Sequence, residues 1–476
     1  MDSASVDVVI IGAGLAGCCA AIEALDCGAE VLLLEKGLTP GGSSASGPGS
    51  FAFADTDLQR RLGLQDSLEC LRNDLIAAGH GKSRLDLIDR YVELQLDTYH
   101  WLLGKGFVFE RVEASTYQSV PRSHPISAAH VVKVLFDEFL RRDGSQYLRA
   151  ARVETLIRNA RSGKVDQIRV ALGGQSRTIT AHHGVIIASG GFARSDALIE
   201  KFAPQFVRAV RMGGTLNEGD GLRMAWALGA DVVDTGYLSG TFGASLNRYP
   251  DTSDKSGREC IILHPIYKGA IAVNLKGQRF ADESQSYKTL GSVCLAQPEA
   301  VAFQLFDQAV MEQSVPEMMP RNFKAALDKG LVKIGRSWAE LAAALGLDGQ
   351  VLTQTVARYN GFAQQGYDSD FGRKHLIGAM GSLVELGAPP YYAYPCTTAL
   401  LSTYGGIAID AQARVLDVYG QPIDGLYAAG EVTGGLHGAS YLSGSSLAKS
   451  AIFGRVAGCH AATRRSRPVA QKSTAC

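Results

Sequence analysis

The chain opens on a strand that runs into a glycine-rich turn, and this stretch constrains the fold more than any other. Five β-favouring apolar residues lead directly into the pattern G-x-G-x-x-G, formed by Gly12, Gly14 and Gly17. An apolar segment with helical spacing follows, and a second apolar run then ends on Glu35. The order strand, glycine turn, helix, strand is typical of a Rossmann-like α/β unit that binds a dinucleotide.

The residues of this turn match the needs of a dinucleotide. Gly12 permits the tight turn, Gly14 lets the backbone approach a pyrophosphate, and Gly17 lets the helix pack close to the sheet. The helix N-terminus supplies amides and partial positive charge to the phosphates. Glu35, about 20 residues further on, can bind a ribose diol.

A second glycine-rich loop near the C-terminus indicates which dinucleotide binds. Residues 423–435 form a predicted turn, a short strand and a loop that contains Gly430 and Glu431. A chain that returns to the same sheet about 400 residues later suggests a long ligand held from two sides. The paired pattern resembles FAD-binding flavoproteins, and residues 185–192, which include Gly190, resemble their middle strand and turn.

Charge and hydropathy argue against several other classes of protein. Lys plus Arg and Asp plus Glu both number 47, so the net charge is zero, which argues against nucleic acid or an anionic membrane as the main partner. No apolar run reaches the roughly 18 residues of a membrane span, and no basic segment precedes the first apolar run, so we expect no signal peptide. The nine scattered cysteines lack metal-ligand spacing and indicate reduced thiols in a cytoplasm, with no metal site.

A glycine- and serine-rich loop, residues 41–50, follows Glu35. It contains too many glycines for a regular element, and its amides and hydroxyls suit contact with phosphate and flavin. A flexible loop without such a role is the alternative interpretation. The loop has no histidine, so a histidine-linked covalent flavin is not expected there.

The length of 476 residues predicts two domains. The sequence changes character at about Tyr237, and we interpret 237–387 as an inserted α+β cap domain between the two parts of an FAD-binding domain, 1–236 and 388–476. Periodicity and β-propensity predict helices over 66–104, 128–142, 222–228, 338–345, 348–364 and 447–462, and strands over 152–157 and 164–172.

Nearly the whole chain resembles the fumarate reductase and 3-ketosteroid dehydrogenase flavoprotein superfamily. The most specific pieces are the N-terminal turn, residues 274–283 (N-L-K-G-Q-R-F-A-D-E, here the cap motif) and residues 430–447. The resemblance implies a Rossmann-like FAD-binding domain of the GR2 flavoprotein type, a catalytic cap and non-covalent FAD. It implies further FAD contacts, including a backbone contact of Val153 with the adenine, at Ala16, Lys36, Gly42, Ser43, Ser44, Gly49, Val153, Gly190, Asp220, Ser445, Ser446 and Leu447.

Three departures from the fumarate reductases decide the branch. Those enzymes place an arginine proton donor four residues after the last Glu of the cap motif, where this sequence has Tyr287. They place a second arginine, a carboxylate clamp, after the late glycine motif, where this sequence has Tyr441. Ser402 replaces a substrate-binding histidine. A dicarboxylate needs bidentate cations, which two tyrosines and a serine cannot supply.

Two tyrosines at these positions resemble the 3-ketosteroid dehydrogenases, which desaturate the carbon pair next to a ketone. In those enzymes the α-proton goes to a tyrosine and the β-hydrogen goes to flavin N5 as a hydride. Tyr441 followed at two residues by Ser443 is more similar to the Δ4-(5α) branch than to the Δ1 branch. The resemblance implies an FAD-dependent oxidoreductase that acts on a CH–CH group of a cyclic ketone, a 3-oxo-steroid.

The chemistry gives roles to the catalytic candidates Tyr287, Tyr441 and Ser443. An α-proton becomes acidic only when aimed donors stabilise the carbonyl oxygen as an enolate, at roughly 3–4 kcal/mol for each donor. The Tyr441 hydroxyl and a backbone N–H near Ser445 are the candidate donors. Tyr287 is the candidate base, relayed through Ser443, and core packing is the alternative for either tyrosine alone.

Candidate substrate contacts lie in two parts of the sequence. Tyr117 and Arg122 belong to a polar loop between the first two predicted helices, for which a plain surface loop is the alternative interpretation. Tyr404, His437 and Ser445 accompany the late glycine motif.

Other functions stay open on the sequence. One is the same desaturation of a smaller cyclic ketone, of the cyclohexanone or 4-oxocyclohexanecarboxylate type, with Arg122 or Arg248 holding a carboxylate. Another is a flavin reductase of an enone or of the fumarate type. A flavin-binding redox sensor without catalysis is a different class, against which the tyrosine pair argues. The sequence assigns neither the electron acceptor nor the oligomeric state.

Overall fold

A computed structural model describes residues 4–46, 49–316, 318–377 and 380–463 of the chain. The chain forms two compact units. Unit 1 comprises Met1–Leu198, Gly213–Leu238 and Ser402–Cys476, and unit 2 comprises Ile199–Met212 and Ser239–Leu401. Residues 199–212, which the sequence analysis placed in the FAD-binding domain, therefore belong to unit 2. The functional division into an FAD-binding domain and a cap stays a prediction.

The regular elements of the described residues are numbered in chain order. The strands are β1 (Ala4–Ile11), β2 (Val31–Leu34), β3 (Gly49–Ala52), β4 (Ser123–Ile126), β5 (Ser145–Leu148), β6 (Arg152–Arg158), β7 (Val165–Leu172), β8 (Gln175–Ile187), β9 (Val210–Arg211), β10 (Val232–Val233), β11 (Leu238–Ser245), β12 (Ile271–Asn274), β13 (Ala302–Asp307), β14 (Lys333–Gly335), β15 (His375–Ile377), β16 (Met380–Ser382), β17 (Tyr391–Thr403), β18 (Gly406–Ile407), β19 (Arg414–Leu416) and β20 (Pro422–Ala428). The α-helices are α1 (Leu15–Asp26), α2 (Asp57–Arg61), α3 (Leu68–Ala78), α4 (Leu85–Gly104), α5 (Ala128–Leu140), α6 (Asp196–Phe202), α7 (Asp220–Ala227), α8 (Tyr287–Leu295), α9 (Gln308–Met311), α10 (Phe323–Asp328), α11 (Trp338–Leu345), α12 (Gly349–Gln365) and α13 (Ser445–Ala462).

Unit 1 is built on an eight-stranded sheet. Its strands lie in the order β19-β20-β8-β1-β2-β5, with β7 paired to β8 and β6 to β7. The strands β20, β8, β1, β2 and β5 run parallel to one another, whereas β19 and β7 are antiparallel to β20 and β8. The interior strand β2 is a continuous apolar run, and all four of its residues are buried. The predicted parallel α/β sheet is confirmed.

The register of four strands brings the sequence motifs to one edge of this sheet. Ile11 pairs with both Leu34 and Ile187, and Ile187 pairs with Ala428. These are the last residues of β1, β2, β8 and β20. The glycine turn, Glu35, the middle turn and the late glycine loop therefore all begin at the carboxyl edge, where ligands bind in open α/β sheets.

Helices α1 and α13 pack closely because small residues line their contact. A Cβ at Gly454 would lie 2.5 Å from the Ala16 carbonyl oxygen, and one at Gly458 would lie 2.3 Å from the Ala20 carbonyl oxygen. The first and last helices of the sheet domain are thereby held together.

Predicted helix limits differ from the structure mainly in one place. The segment 66–104 is two helices, α3 and α4, because the chain turns at His80 and Gly81, which have φ of 52° and 69°. That prediction of one continuous helix was wrong. The helix predicted over 338–345 is confirmed at both ends as α11.

Unit 2 contains a second sheet with the order β11-β17-β13-β12, to which β9 and β14 add by pairing with β17. Apolar residues from this sheet and from α8 to α12 form its core, which includes Phe242, Leu290, Phe303, Leu341 and Tyr394. Among the residues that the structure describes, no helix is both long enough and apolar enough to cross a membrane.

Candidate active site

The three glycines of the N-terminal turn serve different purposes. Gly12 has φ of 109°, and a Cβ there would lie 2.4 Å from the Ala188 carbonyl oxygen. A Cβ at Gly17 would lie 1.9 Å from the Gly12 carbonyl oxygen. A Cβ at Gly14 would meet only Gly41 and Ser44 atoms, at 3.7 and 3.9 Å, which is ordinary contact. The protein itself thus demands glycine at positions 12 and 17, whereas Gly14 leaves room for a ligand.

Glu35 is held rigidly at the end of β2. Its Oε2 accepts a hydrogen bond of 3.0 Å from the Ala13 N–H, and its Oε1 accepts one of 2.7 Å from the Gly37 N–H. The side chain is buried. Each carboxylate oxygen keeps acceptor capacity for a ribose hydroxyl, so this geometry suits the predicted role.

Lys36 and Asp220, both predicted to contact FAD, contact one another. The Lys36 Nζ lies 2.8 Å from Asp220 Oδ2 and 3.0 Å from Glu218 Oε2. Arg152 also pairs with Asp220, at 3.0 Å. Burial raises the pKa of Asp220, but the bonds from Lys36 and Arg152 outweigh it and leave the pKa below its usual value. The pair connects the end of β2 to the start of α7, and its contact with FAD stays a prediction.

A partly buried hydrogen-bond network joins three loops through Ser43, Asn217 and Glu431. The Asn217 Nδ2 donates to Ser43 Oγ at 2.8 Å and to Glu431 Oε2 at 2.9 Å. The Thr403 N–H donates to Glu431 Oε1 at 3.0 Å, and burial raises the pKa of Glu431. Gly190 is needed because a Cβ there would lie 2.4 Å from Asn217 Oδ1.

Asn217 was missed as a site residue by the sequence analysis. It lies 174 residues from Ser43 and 214 from Glu431 along the chain, so no local pattern could reveal the contact. Its place just before Gly219 and the helix α7 was the available signal.

The late glycine loop reaches the start of α1, as expected if the two glycine motifs hold one ligand from two sides. Gly430 has φ of 81°, and a Cβ there would lie 2.8 Å from the Ala16 Cβ. Ser445, Ser446 and Leu447 form the first turn of α13, so this turn offers the positive end of a helix to a ligand.

A backbone N–H near Ser445 is a predicted donor to the ketone, and Ser445 is the first residue of α13. The Ser445 N–H donates to the Leu442 carbonyl oxygen at 3.0 Å, so this particular amide is engaged, and a neighbouring backbone N–H as donor to a ketone stays a prediction. The Ser445 hydroxyl is buried and has no hydrogen-bond partner among the described residues. A buried hydroxyl without a partner costs free energy, which a bound ligand can recover.

The remaining predicted FAD contacts have local explanations. Ser44 Oγ accepts from the Leu15 N–H at 3.4 Å, and Gly42 has φ of 52°. Gly49 pairs with Ile126, whose carbonyl oxygen would lie 2.3 Å from a Cβ at Gly49. Val153 is buried in β6 opposite Val170. Of the loop 41–50, residues 47 and 48 lie outside the described residues.

These observations test whether FAD fits the residues present. Gly14 leaves space beside the helix N-terminus, Glu35 is fixed for a ribose, and Ser445 holds an unused buried hydroxyl. The loops that carry them start at one sheet edge. The residues therefore fit a dinucleotide bound in an extended form across this edge.

The candidate substrate residues of unit 1 form an aromatic cluster of Tyr404, His437 and Tyr441. Their ring centroids lie 5.4 Å apart for Tyr404–Tyr441, 5.7 Å for His437–Tyr441 and 5.8 Å for Tyr404–His437. Tyr404 and His437 are buried, and Tyr441 is half-buried. The cluster presents an apolar wall with hydroxyl and imidazole groups at its edges.

The polar loop 116–118 contacts the segment that follows Tyr441. The Ser443 N–H donates to the Thr116 carbonyl oxygen at 3.1 Å, and Gln118 Nε2 donates to the Ser443 carbonyl oxygen at 2.8 Å. Tyr117, between them, has φ of 62°. The structure therefore brings the predicted residues Tyr117 and Ser443 into neighbouring segments.

Arg122 is not placed to bind a substrate, which corrects its prediction as a substrate contact. Its side chain is fully buried, with two bonds of 2.6 Å to the Asp66 carboxylate and a further bond to Asp74. A guanidinium engaged in this way holds the loop to α3 and has no free edge for a carboxylate.

Tyr287 is the first residue of α8 in unit 2, capped by the Ser286 side chain. Its ring stacks on His264, with centroids 5.6 Å apart and planes 15° apart. His264 Nε2 lies 2.9 Å from the Phe242 carbonyl oxygen, so Nε2 carries the proton. Burial lowers the pKa of His264 to about 4, and the imidazole is neutral at pH 7.

Lys288 is a second residue that the sequence analysis did not select. It is 8% exposed, and its Nζ lies 5.9 Å from the centroid of the Tyr287 ring. Burial lowers the pKa of Lys288 to about 7. A lysine directly after the proposed base was the signal available in the sequence.

Two charged residues of the cap motif, Arg279 and Glu283, form a separate buried cluster with Asp368 and Arg373; we call these four residues the motif cluster. Arg279 Nη2 lies 2.6 Å from Glu283 and 2.8 Å from Asp368, and Arg373 Nη1 lies 3.0 Å from Glu283. Two arginines and two carboxylates balance in charge. The cap motif is therefore joined by buried ion pairs to residues 368 and 373 of unit 2.

Comparison with known proteins identifies the family. The family described as "FAD binding domain" matches residues 7–447. A fumarate reductase (cytochrome) from Shewanella frigidimarina is 32% identical over 96% of this chain and 77% of its own length. The chain belongs to the fumarate reductase family of FAD-binding flavoproteins. FAD is therefore its cofactor, and the protein is an FAD-dependent oxidoreductase.

Further relatives differ from this chain in length. An NADH:fumarate oxidoreductase from Klebsiella pneumoniae is 31% identical over 97% of this chain, which spans 48% of that relative's length. The flavocytochrome c3 fumarate reductase structure is similar with a TM-score of 0.83 and 28% identity, over 97% of this chain and 78% of that one.

A steroid dehydrogenase is also a structural relative. The 3-ketosteroid-Δ4-(5α)-dehydrogenase from Rhodococcus jostii has a TM-score of 0.77 and 27% identity, over 97% of both chains. Reductases and dehydrogenases thus share this fold.

Proposed function

We propose that this flavoprotein is a dehydrogenase that introduces a C=C bond next to the ketone of a cyclic substrate, with 3-oxo-steroids as the substrate class. Tyr287 takes the α-proton, with Ser443 as a relay, and the Tyr441 hydroxyl donates to the ketone oxygen. FAD, when bound, accepts the β-hydrogen as a hydride. The replaced arginines and the 27% identical steroid dehydrogenase support this choice.

The aromatic surroundings of Tyr441 support this proposal most directly. At the position where the fumarate reductases have a carboxylate clamp, Tyr441 lies in an aromatic cluster with Tyr404 and His437. Phenol and imidazole edges can hydrogen-bond a neutral ketone, and the rings offer apolar surface to a hydrophobic substrate. A dicarboxylate would need guanidinium forks there.

The donors for the enolate come from this cluster and from α13. Each donor aimed at the developing oxyanion contributes roughly 3–4 kcal/mol to the transition state. The Tyr441 hydroxyl is the first. The second is the Ser445 hydroxyl, which is buried without a partner among the described residues, beside the backbone N–H predicted near it. Tyr117 and Tyr404 are proposed to line the substrate.

The position of Lys288 favours the second candidate function, the desaturation of a smaller cyclic ketone. The buried Lys288 Nζ lies 5.9 Å from the Tyr287 ring centroid, and in its protonated form it can bind the carboxylate of a 4-oxocyclohexanecarboxylate-type substrate, whose charge favours that form. Arg122 is engaged with Asp66 and Asp74, and Arg248 is exposed in unit 2, so Lys288 replaces both as the candidate cation.

Anaerobic mixing with a panel of substrates tests the proposal. The oxidised holoenzyme is mixed with 3-oxo-steroids, cyclohexanone and 4-oxocyclohexanecarboxylate while flavin absorbance is followed, and the reduced holoenzyme is mixed with fumarate. We expect the 3-oxo-steroids to bleach the flavin fastest. If only 4-oxocyclohexanecarboxylate bleaches the flavin, the smaller cyclic ketone is the substrate class. Fumarate turnover as fast as that of the best ketone contradicts the dehydrogenase assignment.

A further inference from the structure

A buried lysine lies behind the late glycine loop and belongs to none of the groups discussed above. Lys449 is the fifth residue of α13, and it is 3% exposed. Its Nζ donates a hydrogen bond of 2.7 Å to the Thr433 carbonyl oxygen. Burial of an ammonium costs several kcal/mol, so a lysine here requires anions or a function that offsets the cost.

Two carboxylates on either side of the same loop supply that compensation. Asp234 accepts a bond of 3.1 Å from the Gly435 N–H, and Glu431 is held by Asn217 and Thr403. Burial lowers the pKa of Lys449 to about 8, against the opposing attraction of Glu431 and Asp234. The lysine is therefore mostly an ammonium at pH 7, and the carboxylates of Glu431 and Asp234 attract its charge.

The loop that Lys449 supports carries predicted FAD contacts. Gly430 lies against Ala16 at the start of α1, and Glu431 connects through Asn217 to Ser43. The same helix that carries Lys449 begins at Ser445, with its positive end toward the loop segment that precedes it. Two sources of positive potential, a helix end and a fixed ammonium, thus belong to one element.

We propose that Lys449 is the fixed cation of the flavin site, a positioning residue whose ammonium makes the bound FAD easier to reduce. Reduction adds negative charge to the cofactor, and charge near a flavin tunes its electronics. A buried charge interacts more strongly than one in water. The inference goes beyond the proposed function and does not depend on which substrate is oxidised.

The midpoint potential of Lys449→Met measures this effect directly. The holoenzyme is reduced anaerobically against a reference dye, and FAD dissociation is followed by fluorescence. We expect the preference for reduced over oxidised FAD to fall by about tenfold, which is about 30 mV for a two-electron couple. Lys133→Met removes an exposed lysine on α5 and should leave the potential unchanged.

Asp234→Asn is an independent variant that should shift the midpoint potential in the opposite direction. Asp234 has φ of 57°, a conformation that asparagine tolerates, and the amide oxygen can still accept from Gly435. Loss of this anion should shift the potential upward. The proposal is overturned if both variants stay within about twofold of wild type in relative affinity, or if both shift in one direction. If Lys449→Met does not retain FAD, the absence of an upward shift in Asp234→Asn overturns it.

Discussion

Two buried polar groups, one in each unit, illustrate how structural residues differ from site residues. The motif cluster of unit 2 balances two arginines with two carboxylates. The FAD side of unit 1 instead keeps open positions, namely the room at Gly14 and the unpartnered Ser445 hydroxyl. Paired buried charges are costly to separate. Several buried atoms lack a partner among the described residues, Arg279 Nη1 of the motif cluster included, and we assign the Ser445 hydroxyl to a ligand because it lies in the first turn of α13.

We expect the largest loss of stability from a substitution that breaks the motif cluster. Glu283→Ala leaves two buried arginines without their shared carboxylate, and we expect the free energy of unfolding to fall by about 3–5 kcal/mol. Chemical denaturation of the apo-protein measures it. Glu200→Ala removes an exposed carboxylate and should change the free energy by less than about 0.5 kcal/mol. Equal effects of the two variants would show that the cluster does not stabilise the fold.

The same carboxylate predicts the acid dependence of stability. Burial raises the pKa of Glu283, but Arg279 and Arg373 outweigh it and lower the pKa below the ordinary value of 4.5. A lowered pKa means that the contribution is complete above pH 4.5 and is lost as the pH falls through the folded-state value. Wild type should lose stability over this range more steeply than Glu283→Ala, as measured by denaturation at several pH values.

Substitutions at Gly12 and Gly14 should have effects of intermediate size and separate a glycine needed for folding from one needed for FAD binding. Gly14→Ala should fold normally but bind FAD about 5- to 150-fold more weakly, because the new methyl group occupies the ligand's space at a cost of about 1–3 kcal/mol. Gly12→Ala should lower apo-protein stability, since its Cβ would clash with Ala188. FAD titration and apo-protein denaturation separate the two effects. A destabilised Gly14→Ala apo-protein with unchanged FAD affinity would remove the assigned role.

The smallest effect concerns the unpartnered hydroxyl. Ser445→Ala should leave the apo-protein as stable as wild type or more so, because it removes a buried polar group without a partner. If FAD or substrate uses this hydroxyl, affinity for that ligand should fall by about 0.5–1.5 kcal/mol, or two- to tenfold. Titrations with FAD and with a ketone show which ligand it serves. A loss of apo-protein stability would reveal an internal partner and remove the argument for a ligand.

The glycine motifs were predictable because backbone geometry leaves few alternatives. Gly12 and Gly17 are required by contacts within a few residues of the turn or of the neighbouring strand, so their spacing indicates the fold directly. The break between α3 and α4 was missed because His80 adopts a positive φ that propensity does not foresee.

The chemistry of individual side chains was less accessible. Arg122 was a polar-loop residue in the sequence, and only the fold brings Asp66 and Asp74 to its guanidinium. The burial of Lys288 and Lys449, and the bonds of Asn217 to residues 174 and 214 positions away, are not shown by a single sequence. Motif residues were predicted, and their electrostatic surroundings were not.

The central claim, tyrosine-based oxidation of a ketone, is tested most directly by stopped-flow reduction of Tyr287→Phe and Tyr441→Phe with the best ketone from the panel. Tyr287→Phe should bind the ketone while flavin reduction slows by roughly 10²–10⁴-fold, the usual effect of a lost acid–base group. Tyr441→Phe should slow reduction and also weaken ketone binding modestly, because its bond exists in the ground state and strengthens as the enolate forms. If Tyr287→Phe reduces its flavin as fast as wild type, Tyr287 is a packing residue and the base lies elsewhere.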